Sequence, residues 1–214
     1  MTAQAGDTFP HSSAAAELKA AERLRLRRLR RSLSRAERRA AARDAARRAL
    51  QLRCLRRMRK VAVYLAVGAE LDTAPLIRGL HARGIKLYAP SVDHDRRMRF
   101  VPLPAGAVHR RDALGLPRSR RTRPVHRPRD FDALLLPLLG FTAGGTRLGA
   151  GGGYYDRSLA SLHASTSRPL LIGYAYSVQR LDELPREAWD RTLDAVITER
   201  RIYRCTRRPP AKPV

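Results

Sequence analysis

The chain has 214 residues, and its 44 Lys and Arg against 19 Asp and Glu give a formal net charge of +25. That length suits one domain able to bury a real core, and no apolar run reaches the roughly 18–20 residues that a membrane span needs. Only four of the basic residues are lysine (Lys19, Lys60, Lys86 and Lys212), so the excess is arginine, which steers polyanions toward the surface whatever the function. Charge alone therefore does not choose between nucleic acid, a nucleotide triphosphate and a polyglutamylated cofactor. Cys54 and Cys205 stand apart with no metal-ligand spacing, which reads as reduced packing or surface thiols in a cytoplasmic protein. The N-terminus lacks the apolar segment of a secretory signal.

Residues 1–13 mix Gly, Pro, Thr and Ser and read as a disordered leader, with a domain over 14–205 and a disordered tail over 206–214. A helix is expected from Ala14, with a partial apolar stripe of Leu18, Leu26, Leu29 and Leu33. Ser34-Arg-Ala-Glu37 is a capping box that starts a second helix running to about Arg57, with Ala41, Ala45, Leu50 and Cys54 on its apolar side. This basic helix pair is either a solvated outer face or a surface for nucleic acid. Val61–Leu65 reads as a buried strand. Asp72-Thr73 caps a helix that carries Leu76, Ile77 and Leu80 and ends at Gly84.

Strands are expected at Ile85–Ala89, stopped by Pro90, and at Met98–Val101. His109–Asp130, with eight arginines and three prolines, reads as a long surface loop or insertion. Further strands are expected at Ala133–Pro137, Leu170–Tyr174 and Asp194–Thr198, with Ile202–Cys205 as an edge, and a helix runs to about His163. Strands alternating with helices predict an α/β fold: a single domain with a mostly parallel sheet flanked by helices and an N-terminal basic helix pair.

The most informative stretch is Arg147-Leu-Gly-Ala-Gly-Gly-Gly-Tyr-Tyr-Asp-Arg157. Glycine at 149, 151, 152 and 153 lets backbone amides approach an anion, and the helix opened by Tyr154, Tyr155 and Asp156 adds positive potential at its start. The pattern is neither a P-loop nor a dinucleotide fingerprint. A tight strand-to-helix turn needing positive φ explains the glycines equally well. It does not explain the arginines, tyrosines and aspartate around them.

With the preceding Leu134–Phe141, this stretch resembles the signature of the 5-formyltetrahydrofolate cyclo-ligase (5,10-methenyltetrahydrofolate synthetase) family. The resemblance spans Lys19 to Glu199. It includes Lys19-x-x-x-Arg23 with Arg30 and Leu33-Ser34, Tyr64 before Glu70-Leu-Asp-Thr73, Gln179, Leu184-Pro185, Trp189-Asp190 and Leu193–Glu199. Three positions depart from the family pattern: Thr142 where Asp is usual, Leu114 where an aromatic is frequent, and Gly152 where some members carry lysine.

The resemblance implies ATP-dependent closure of 5-formyltetrahydrofolate to 5,10-methenyltetrahydrofolate by a monomer, with ADP and phosphate released. It implies that Lys19, Arg23, Arg147, Leu148, Gly149, Ala150, Gly151, Gly152, Gly153, Tyr154 and Tyr155 bind ATP. Leu65, Glu70, Gly152 and Tyr154 would bind the folate, Arg147 and Tyr154 would take part in catalysis, and Asp156 and Asp190 would hold Mg²⁺. Read without the resemblance, Lys19 and Arg23 are two more charges on a solvated helix, Glu70 a loop carboxylate and Asp190 a turn cap. A basic nucleic-acid-binding protein and a family member that binds without turnover stand as the alternatives.

Overall fold

The structure is a computed structural model that describes residues 11–92, 98–106, 126–160, 162, 168–186 and 191–205, with side chains from residue 14. Trp189, Asp190, Leu114, most of the 109–130 segment and nearly all of the expected leader and tail lie outside the described residues. The helices are α1 (His11–Ser32), α2 (Arg35–Gln51), α3 (Arg53–Arg56), α4 (Ala74–His81) and α5 (Tyr154–Ala160). The strands are β1 (Lys60–Ala62), β2 (Lys86–Val92), β3 (Met98–Pro102), β4 (Ala133–Leu136), β5 (Gly140–Thr142), β6 (Arg147–Leu148), β7 (Leu170–Tyr174), β8 (Arg180–Leu181), β9 (Ala195–Ile197) and β10 (Ile202–Arg204).

Seven strands form one sheet in the order β10-β9-β7-β4-β1-β2-β3. Its five inner strands are parallel, and β3 and β10 run antiparallel at the two edges. Side-chain alternation builds a core on each face. Val61, Leu87, Ala133, Leu135, Ile172 and Ile197 face a layer made by α2 and α4. Ala62, Tyr88, Leu134, Leu136, Leu171 and Val196 face Phe100, Phe131 and Leu159 on the other side. The mostly parallel α/β architecture is therefore as the alternation of elements predicted.

The N-terminus of α2 carries the expected capping box. Ser34 Oγ accepts from the Glu37 amide at 3.2 Å, and the Glu37 carboxylate accepts from the Ser34 amide at 2.8 Å. The helix does not reach Arg57 unbroken. Leu52 leaves helical geometry, and the Leu50 carbonyl that would continue the ladder accepts from Arg83 at 2.6 Å instead. Cys54, placed by periodicity on the buried side, is consequently exposed. Five alanines, from Ala41 to Ala49, let α2 lie close to α4, and a Cβ on Gly79 of α4 would run into Leu50.

Pro90 does not stop β2, which continues to Val92. Its register partner Phe100 exchanges both backbone hydrogen bonds with His126 on the far side, so β3 asks no N–H of position 90. Asp72, rather than Thr73, caps α4, its Oδ1 accepting from the Ala74 amide at 2.9 Å.

A second, small sheet in the order β6-β5-β8 was not foreseen. It sits between β4 and the glycine loop, and Leu26 of α1 packs into it against Leu148 and Leu181. From β1 the chain runs to β2 on one side, then returns to β4 on the other. Strand order therefore reverses between β1 and β4, and the crevice beyond their carboxyl ends is where open α/β sheets bind ligands.

Candidate active site

Two segments leave that switch point. After β1 come Leu65 and Glu70; after β4 come the β5–β6 hairpin and the glycine loop. Gln179 ties them to the next strand. It is buried, its Nε2 donates to the Leu138 and Leu139 carbonyls at 2.9 Å each, and its Oε1 accepts from the Tyr176 amide at 2.8 Å. Its place in the motif set is thus structural. Thr142 also has an account. Its Oγ1 accepts from the Thr146 amide at 3.2 Å and closes the hairpin turn, so a hydroxyl meets a need that a carboxylate would meet equally.

Three arginines hold the glycine loop by its carbonyls. Arg23 Nε donates to Gly149 at 3.1 Å, Arg27 to Ala150 at 2.8 Å and Arg157 to Gly152 at 3.0 Å. A trans peptide points its N–H away from its C=O. The amides of Ala150, Gly151 and Gly153 are therefore turned to the opposite side. Among the described residues, no amide from Gly149 to Gly153 has a hydrogen-bond acceptor. Gly151 and Gly153 adopt φ of +105° and +64°, which ordinary side chains avoid. Gly152 has no such φ, but a Cβ there would stand 3.1 Å from the Tyr154 ring. Lysine's absence from this position lets that ring fold onto the loop. A row of amides without acceptors among arginines is chemistry that suits an anion.

Arg147 and Asp156 form an ion pair across the mouth of this loop. Arg147's side chain is 6% exposed and that of Asp156 45%, so the arginine lies behind and the carboxylate faces solvent. The residues present fit a Mg²⁺ that arrives on a nucleotide. Such an ion takes one or two carboxylates and completes its octahedron with phosphate oxygens and water. Among the described residues no cluster of three or more Asp, Glu, His or Cys offers an all-protein cage. Asp190, the second expected ligand, lies outside them.

In the segment after β1, Glu70 Oε2 accepts from the Val67 amide at 3.0 Å, and burial raises its carboxyl above the usual range. Leu65 packs half-buried at the edge of the larger core. Tyr155 connects the two halves: burial first and then Glu70's charge push its phenol up, while Arg147 acts against them. Tyr154 carries Arg157 over its ring at 5.1 Å. The structure brings Arg23, Arg147, the glycine loop, Tyr154 and Asp156 together by direct contacts and sets Tyr155 within electrostatic reach of Glu70 and Arg147. Lys19 lies one turn before Arg23 on α1, and Leu65 packs against the core rather than against the loop.

Arg27 and Arg30 were not singled out for roles by the sequence. Their signal was spacing: Lys19, Arg23, Arg27 and Arg30 recur at helical intervals on one side of α1. Arginine's usual preference for solvent hid it.

A profile described as the 5-formyltetrahydrofolate cyclo-ligase family matches residues 15–199. The chain belongs to this family. Membership makes it an enzyme, a ligase of folate one-carbon metabolism. A 5-formyltetrahydrofolate cyclo-ligase from Escherichia coli K12 is 35% identical over 154 residues, covering 67% of this chain and 79% of the relative. The fold is also that of a 5,10-methenyltetrahydrofolate synthetase from Aquifex aeolicus, with a TM-score of 0.76, 29% identity and coverage of 92% and 97% of the two chains. A 5,10-methenyltetrahydrofolate synthetase from Mycoplasma pneumoniae superposes with a TM-score of 0.67 at 26% identity, covering 85% of this chain and 98% of its own.

Proposed function

We propose that the enzyme closes 5-formyltetrahydrofolate to 5,10-methenyltetrahydrofolate at the expense of ATP. The observation that carries this reading is the row of loop amides, unpartnered among the described residues and set among Arg23, Arg27, Arg147 and Arg157, followed by Tyr155, which lies within electrostatic reach of Glu70. One side suits polyphosphate, the other a ring bearing N–H donors.

The oxygen of the formyl group on N5 is a poor leaving group. It attacks the γ-phosphorus of ATP, and the bond to the β,γ-bridging oxygen breaks to release ADP. N10 then attacks the formyl carbon and loses its proton. The phosphorylated oxygen departs as inorganic phosphate, leaving the methenyl bridge as an amidinium cation. Phosphoryl transfer of this kind needs positioning and charge neutralisation more than covalent help from the protein. Lys19, Arg23 and the loop amides of 149–153 would hold the phosphates, with Leu148 and Tyr155 forming the walls. Arg147 would meet the charge developing on the transferred group. Tyr154, Gly152, Leu65 and Glu70 would seat the folate.

Asp156, with Asp190, would hold Mg²⁺. When bound, that ion supplies charge neutralisation on the phosphates. Asp156 pairs with Arg147 in the structure; a carboxylate turned to the cation would leave that guanidinium available to phosphate. A monomer working in the cytoplasm completes the reading; Cys54 and Cys205 are both free thiols, as a reducing compartment keeps them.

Purified protein incubated with 5-formyltetrahydrofolate and MgATP should develop methenyltetrahydrofolate absorbance, with one ADP formed per product. No product at any magnesium concentration would sink the proposal.

A further inference from the structure

Arg30 is the member of the α1 row that no hydrogen bond accounts for. Its Nε is buried and has no partner among the described residues. A guanidinium N–H removed from water and left unmade is unfavourable enough to need a reason. Its neighbours Arg28 and Arg31 are exposed, so helix α1 turns this one cation inward by position rather than by general crowding.

Glu70 lies within electrostatic reach. Each group's protonation is influenced by the other, yet no direct ion pair joins them. Glu70 Oε2 is occupied by the Val67 amide, while Oε1 accepts nothing among the described residues. The surrounding hydroxyls are committed elsewhere. Tyr64 donates to the Leu71 carbonyl at 2.8 Å and Tyr176 to the Glu70 carbonyl at 3.3 Å. What remains is one open acceptor and one open donor, partly desolvated, on neighbouring parts of the fold: helix α1 packs on residues 177–179, and Tyr176, just before them, is bonded to the Glu70 backbone.

An acceptor beside a donor complements a ligand edge with donor and acceptor side by side, which is the edge of a lactam. A reduced pterin carries one, N3–H next to the C4 carbonyl. C4 is also peri to N5, so a formyl group on N5 lies beside that carbonyl. One turn back along α1, Arg27 already holds the phosphate loop.

We propose that Arg30 is a substrate-binding residue of the folate half, where it pairs with Glu70 to read the pterin lactam. The carboxylate accepts from N3–H, and the guanidinium donates to the C4 carbonyl beside the formyl group. This rests on the activity proposed above. It gives the buried cation a partner and sets a fixed positive charge next to the oxygen that is to be phosphorylated.

The test compares 5-formyltetrahydrofolate with a 4-amino pteridine antifolate, whose C4 substituent is a donor instead of an acceptor. Both are titrated against the wild type, Arg30→Gln and Arg30→Lys. Loss of a charge-assisted hydrogen bond should weaken the formyl folate about 10–100-fold in Arg30→Gln. Affinity for the 4-amino compound should hold or improve, and MgATP affinity and melting temperature should not change. Arg30→Lys should recover part of the loss, and it carries the same comparison if the glutamine variant does not fold. Equal losses for both pteridines would show a merely structural role and overturn the proposal. So would unchanged formyl-folate affinity, or a loss confined to MgATP. A wild-type protein that binds no formyl folate overturns the activity itself, whereas a binding wild type beside an indifferent Arg30→Gln condemns Arg30 alone.

Discussion

Helices α1 and α2 are adjacent and alike in composition, yet their arginines stand in opposite circumstances. On α1, Arg23 and Arg27 grip the glycine loop and Arg30 turns toward Glu70. On α2, Arg35, Arg39, Arg43 and Arg47 recur every fourth residue along one exposed stripe, and only Arg47 has a charged partner, Asp44 at 3.0 Å. The difference comes from the opposite faces. Buried alanines seat α2 against the sheet and leave its arginines outside. Helix α1 buries little beyond Leu26, so its seat is built from arginine–carbonyl bonds around the site. A charge run thus acquires meaning from what lies across from it.

The comparison breaks most visibly at the pair that the α1 row surrounds. Arg147→Ala removes the buried cation expected to meet transferred charge, and kcat should fall by about 100–1000-fold, the scale for losing one preorganised electrostatic group. Steady-state kinetics with a melting curve would check it. Near-normal kcat in a folded variant would remove Arg147 from the chemistry.

A graded contrast comes next. Arg23→Ala and Arg27→Ala each delete a bond that shapes the phosphate cradle, and KM for ATP should rise by roughly 10–100-fold. Arg39→Ala and Arg43→Ala should leave both kinetic constants unchanged while reducing weak polyanion binding that fades steeply with salt. Equal effects from the two helices would mean that overall field, not placement, matters. Sequence-selective nucleic-acid binding by the α2 stripe would give that helix a function of its own.

Much of this was legible beforehand, for identifiable reasons. β7 was bounded correctly because its apolar run is uninterrupted, and the Ser34 box was visible because capping is local chemistry. The glycine loop announced itself through residues that a simple turn does not need. The β6-β5-β8 sheet was not legible. Its strands span two or three residues, and β8 pairs with β5 from far along the chain, so no periodicity develops. The break at Leu52 is met by Arg83, a residue in the turn between α4 and β2. The inward row of α1 was visible as spacing but masked by residue type, and the pairing of Arg147 with Asp156 needs coordinates.

Glu70 offers a smaller, pH-dependent contrast with the arginines, which stay charged throughout. Burial raises its folded carboxyl above the ordinary value, and the folate contact proposed for it needs the carboxylate. Affinity for 5-formyltetrahydrofolate should therefore begin to fall, on acidification, at a higher pH than an unperturbed glutamate would give. The stability sign is the reverse. A raised folded pKa contributes stability at pH below the unfolded value, and that contribution is lost as pH rises through the folded one. At neutral pH, Glu70→Gln should melt no lower than the wild type while losing folate affinity. A variant that loses both would show that Glu70 holds the loop rather than the substrate.

The smallest effect isolates α2 from the site. Ser34 ends the link from α1 and caps α2 reciprocally with Glu37, whose carboxyl these hydrogen bonds hold below the usual range. Ser34→Ala leaves one helix amide without its side-chain acceptor and should lower the melting temperature by about 2–4 °C in a chain of this size. The depressed Glu37 value means that its own capping contribution is present above the unfolded carboxyl pKa and disappears as pH falls through the folded one. The gap between the wild-type and Ser34→Ala melting curves should therefore narrow in acid without closing, because Ser34 Oγ still accepts from the Glu37 amide. Because Arg23, Arg27 and Arg30 lie before the cap on a helix seated by its own contacts, kcat and KM should not move. If they do, the start of α2 helps to aim α1, and the two helices act on the site as one unit despite their different faces.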